Sequence, residues 1–135
     1  MAACLFRPKN SMKRLLILTV VIEGPTGLAL LAVPAVVVRL LLGAEISGAA
    51  IPLGRVAGVS VLALGLACCL ARDDTQSRAA RGLVSAMLLY NVAVAALLAF
   101  AGLGLGLHGL ALWPAVVLHS AMTVWCVACL RRNPS

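Results

Sequence analysis

Four long apolar stretches divide the chain, at residues 15–33, 51–71, 82–101 and 110–130. A helix needs about 20 apolar residues to cross the hydrocarbon core of a bilayer. Each stretch meets or approaches that length, so each is read as a membrane-spanning helix. Short polar or glycine-rich segments separate them. The pattern predicts an all-α membrane protein, a four-helix antiparallel bundle.

Prolines and glycines refine this reading. Pro25 falls inside the first span and removes one backbone donor, leaving the Val21 carbonyl without its helical partner, so a kink is expected there. Pro34 suits the first turn of a short helix over 34–42, closed by Gly43. That piece is apolar except for Arg39 and is expected at the outer interface. Residues 43–53 form an outer loop, and Pro52 suits the first turn of span two. Residues 71–80 are a short polar connection, with Asp74, Thr75 or Ser77 placed to cap the third span. Residues 102–109 form a glycine-rich outer turn. Trp113-Pro114 then marks an interfacial start for the fourth span. The expected organisation is an N-terminal extension over 1–14, a transmembrane domain over 15–131 and a tail over 132–135. Met12-Lys13-Arg14 also reads as a start, with 1–11 as a weakly ordered extension.

Composition supports the same class. Hydrophobic residues make up 63% of the chain and charged residues only 11%. Soluble domains are about 45–50% apolar, so too few charges are present to cover a water-facing surface. The net charge of +7 raises nucleic acid as a partner, but its distribution argues against it. Arg7, Lys9, Lys13, Arg14, Arg72, Arg78, Arg81, Arg131 and Arg132 fall on one side of the four spans. Only Arg39 and Arg55 fall on the other. This asymmetry places both termini in the cytoplasm. Membrane lipids are the expected partners, with a protein partner or a second copy of the chain also open.

Each span carries one strongly polar residue: Glu23, Arg55, Asn91 and His119. Ionisable groups at bilayer depth are costly and mark functional sites by default. From the 1.5 Å helical rise, Glu23 lies about 12 Å, Asn91 about 14 Å and His119 about 17 Å from the cytoplasmic edge. Arg55 is about 6 Å from the outer edge, where it either reaches inward or extends to the headgroups. Two readings stand. The four residues form a site for a ligand, proton or ion, or they are polar contacts that fix helix register. Either way Glu23 should face the interior, within reach of Arg55, Asn91 or His119.

Cys68-Cys69 and the Cys126-x-x-Cys129 pair lie near the cytoplasmic ends of spans two and four. As thiols they are candidates for a soft metal or for redox cycling. Against this, cysteine is a common small packing residue in apolar helices, and helix C-termini do not stabilise thiolates. In a simple up-down ring the two pairs also lie diagonally apart. They are read as packing residues. Gly54, Gly58 and Gly65 share one face of span two, which permits close helix approach inside the bundle or between copies. The chain has no phosphate loop, no Ser-His-Asp arrangement on aqueous loops and no cofactor motif.

The run Gly27-Leu-Ala-Leu-Leu-Ala-Val-Pro34, the apolar piece ending at Gly43, then Gly54-Arg55-Val-Ala-Gly58 and Leu64-Gly65 resemble small bacterial four-helix membrane proteins of the DoxX-like group. The resemblance covers 15–71 best. It implies architecture and a bacterial inner-membrane location, with Arg55 and Gly58 as matching positions, and it transfers no catalytic role. The expected function is a non-enzymatic inner-membrane protein, either an accessory subunit or a binder of a small lipophilic ligand. A transporter or thiol- or metal-handling protein is the alternative. A lipid-modifying enzyme using Glu23 and His119 comes third.

Overall fold

The computed structural model describes residues 8–132, with the side chains of 8–10 excluded. Those residues form five α-helices in the order α1 (Pro8–Ala32), α2 (Pro34–Leu42), α3 (Ala50–Ala71), α4 (Arg78–Leu103) and α5 (Leu112–Arg132). No strand occurs among them. The four long helices α1, α3, α4 and α5 are each long and apolar enough to cross a membrane. Leu70, Leu89, Leu97, Leu103 and Val124 are among the large apolar side chains left exposed. Exposed apolar surface on this scale has no place in water and suits a lipid solvent.

The local signals explain the element ends. Pro34 opens α2, and Gly43 closes it in the left-handed conformation at φ 69°, its N–H bonded to the Arg39 carbonyl. Ser77 is the residue that caps α4, accepting from the Ala80 N–H at 3.1 Å. Helix α1 runs unbroken through Pro25. One residue later the Thr26 hydroxyl donates to the Ile22 carbonyl at 2.7 Å, adding a side-chain bond beside the proline. The start of α1 differs from the sequence reading. Residues 8–14, assigned above to an extension, are helical and continuous with the first span. Met12 is fully buried in the core, and this packing carries the helix past the end of the apolar run. Residues 1–7 and 133–135 lie outside the described residues, with them Cys4, Arg7 and most of the expected tail.

Helix α1 packs chiefly on α3, and α4 chiefly on α5. Glycines make the first contact close. A Cβ on Gly58 would sit 2.8 Å from the Gly27 carbonyl oxygen and 2.8 Å from the Leu31 nitrogen. A Cβ on Gly54 would sit 2.8 Å from the Pro34 side chain. The glycine face of α3 is therefore occupied by α1 and α2 of the same chain.

The core is concentrated at the basic end, which carries the start of α1 and the end of α5. Met12, Leu15, Leu16, Cys68, Val84, Met87, Met122, Cys126 and Cys129 form one buried cluster there. At its edge the Trp125 indole donates to the Ser11 hydroxyl at 3.0 Å, and Lys13 pairs with Asp73 at 2.6 Å. The Lys13 ammonium holds the exposed Asp73 carboxyl below the usual carboxylate range. Whatever stability this pair adds is lost as pH falls through the lowered value, and an exposed pair adds little. At the opposite end, the 104–111 segment is tied to α2 by a bond from the Ala111 N–H to the Leu40 carbonyl at 2.9 Å.

Candidate functional site

Just above the core cluster, three helices bring polar side chains together. On α1, Glu23 is only 5% exposed. Helix α3 makes room for it with Gly65, whose added Cβ would lie 3.8 Å from the Glu23 Cβ. From α4, the Tyr90 hydroxyl donates to Glu23 Oε2 at 3.2 Å. The next residue, Asn91, is 3% exposed. Its amide nitrogen donates to the Met87 carbonyl at 2.8 Å, and its Oδ1 lies 2.8 Å from Nδ1 of His119 on α5. The Tyr90 and His119 rings meet edge to face, with centroids 5.7 Å apart.

The bonding pattern fixes donors and acceptors. With the Asn91 nitrogen committed to Met87, its Oδ1 is an acceptor, so Nδ1 of His119 carries the hydrogen. A neutral His119 then presents a bare Nε2. Tyr90 gives its hydrogen to Glu23. The remaining capacity of the group is mostly acceptor capacity, at His119 Nε2 and the Tyr90 lone pairs, with the second Asn91 amide hydrogen left as a donor. Such a set can accept hydrogen bonds from an alcohol, phenol or amine and return one from the Asn91 amide.

Of the four residues singled out from sequence, Asn91 and His119 bond directly. Glu23 joins them through Tyr90, a residue the sequence reading passed over. Arg55 stays apart. It is exposed and makes no hydrogen bond or ion pair with the described residues. Ten residues of α3 separate it from Gly65, about 15 Å along the helix. An ion pair between Glu23 and Arg55 is excluded by that spacing. The signal for Tyr90 was its place beside Asn91. It is the single tyrosine of the chain, with a hydroxyl that needs a partner wherever it is buried.

The cysteines meet more closely than a simple ring arrangement implies. Cys68, Cys126 and Cys129 share the buried core cluster. The Cys68 thiol donates to the Met87 sulfur at 3.5 Å, and Cys129 lies 3.6 Å from the Ser11 hydroxyl. Cys69 stands outside the cluster, accepting from Arg72 at 3.0 Å. Cys68, Cys69 and Cys126 are free thiols. Among the described residues, no group of three or more His, Cys, Asp or Glu side chains is placed to hold a metal ion. His108 is exposed in the segment before α5.

No family model, no curated protein and no solved structure matches this chain.

Proposed function

We propose that the chain is a non-enzymatic integral membrane protein that binds a small lipophilic ligand whose polar head donates hydrogen bonds. One observation carries this reading: Glu23, Tyr90, Asn91 and His119 converge from three helices, with the Tyr90 hydroxyl and His119 Nδ1 already engaged and acceptors in excess of donors. Glue between helices needs only paired groups. A set with surplus capacity of one kind is suited to a third party. In this reading the four long helices form an antiparallel bundle in a bacterial inner membrane, α2 lies at the outer interface, and both termini are cytoplasmic. The DoxX-like resemblance bears on that architecture alone.

Two experiments test the proposal. Reporter fusions at Gly48 and Gly106 should read as external, because nine of the eleven basic residues fall on the side of the termini. A cytoplasmic signal at either position overturns the orientation. For the ligand, the protein is purified in mild detergent and everything retained is identified by mass spectrometry. A lipophilic alcohol, phenol or amine should be retained at near one per chain. Glu23→Gln should keep the fold and lose the ligand, since the carboxyl is replaced by an amide. Full retention in that variant removes the site, and a retained protein chain with no small molecule makes the molecule an accessory subunit instead.

A further inference from the structure

The far end of the molecule has a cavity separate from the polar cluster, and its reading rests only on the chain spanning a membrane. A cavity of about 470 Å³ opens between the last turns of α2 and the segment leading into α5. Its walls carry Val36, Leu40 and Leu110 together with Arg39 and His108. The apolar members are open to the surroundings, Leu110 at 89% exposure. Arg39 interrupts an α2 that is otherwise entirely apolar.

The cavity is held open by backbone contacts. Gly43 adopts φ +69°, and a Cβ there would lie 2.8 Å from the His108 carbonyl oxygen. Gly109 sits directly against the Leu41 carbonyl, too close for any side chain. The bond from Ala111 to Leu40 completes the connection. The two walls therefore keep their spacing without a ligand, so little ordering is needed on binding.

We propose that this cavity binds a phospholipid with a net anionic headgroup. Arg39 offers a planar set of donors to phosphate, and His108 adds a donor from the facing wall. One acyl chain follows Val36, Leu40 and Leu110. Depth supports the assignment, because α2 and the 104–111 segment lie at the ends of the spans, where headgroups begin. Glu45 pairs with Arg39 at 3.3 Å and is the headgroup's competitor. Both partners are mostly exposed, so the pair is weak and yields to a phosphate.

Trp113, three residues after Leu110 in the sequence, serves as the fluorescence reporter. The test uses the full chain with Trp125→Phe, in neutral detergent micelles, titrated with phosphatidylglycerol or phosphatidylcholine brominated on the acyl chains. Phosphatidylglycerol should quench Trp113 at about tenfold lower concentration than phosphatidylcholine. Arg39→Gln should erase that preference, His108→Gln should reduce it, and Glu45→Gln should increase it. All three positions are on exposed turns or helix faces, so folding is preserved. Equal quenching by both lipids, or a preference unchanged in Arg39→Gln, overturns the proposal. Inorganic phosphate that abolishes the preference at millimolar concentration also overturns it, assigning the cavity to the free anion.

Discussion

Gly58→Ala should destabilise the protein by about 2 kcal/mol, whereas Gly82→Ala should stabilise it by about 0.5–1 kcal/mol. Both substitutions add one methyl group to a glycine inside a long helix, and both gain the same helix propensity. They differ in what the methyl meets. At Gly58 it would lie 2.8 Å from the Gly27 carbonyl oxygen and from the Leu31 nitrogen, both backbone atoms of α1. Backbone cannot swing aside as a side chain does, so α1 and α3 must separate. At Gly82 nothing lies within 4 Å. Thermal unfolding in detergent measures both, and Gly58→Leu should fail to fold. If Gly58→Ala is neutral, α1 and α3 do not pack through this glycine face.

Glu23 and Tyr90 should show a coupling energy of about 1.5 kcal/mol in a double-mutant cycle built from Glu23→Leu and Tyr90→Phe. Hydrogen bonds between membrane helices average about 0.6 kcal/mol and reach about 1.7. The upper end is expected here because the Glu23 carboxyl is buried against Gly65 and its bond comes from a tyrosine hydroxyl. Tyr90→Phe leaves the carboxyl without that donor. Adding Glu23→Leu removes the orphaned group and should restore part of the loss. Unfolding free energies in detergent give the four corners of the cycle. A coupling at or below the membrane average reduces the pair to ordinary helix contact and takes away the support for a ligand site.

The helices were legible because apolar length is a one-dimensional signal, and Pro34, Gly43 and Ser77 carry local backbone chemistry that marks ends. The start of α1 was not. Lys9, Asn10 and Lys13 look like the end of a span, while the packing of Met12 depends on helices far along the chain. The contact between Asn91 and His119 was readable, because their depths from one edge nearly agree. Arg55 was placed with them because it shares their polarity, but its register on α3 sets it near the other end. Tyr90 was missed because a tyrosine in an apolar span looks like any aromatic residue. Only the facing helix reveals a carboxyl opposite its hydroxyl. The cysteines came together for a similar reason: the pairing of α1 with α3 and α4 with α5 lets all four helices share one core at the basic end.

That pairing also sorts the bonds of the polar cluster into two kinds. The first two spans make one hairpin and the last two make another, each between neighbours in the chain. The Asn91–His119 bond is a rivet inside the second hairpin. The Glu23–Tyr90 bond is a latch between the two. Prising the hairpins apart releases the latch and leaves the rivet in place, so the acceptors of the site disperse while each hairpin is still intact. On the proposed reading, occupancy of the site and closure of the seam would be one event, and a ligand that bridges Glu23 to His119 would act as a clasp on the whole fold.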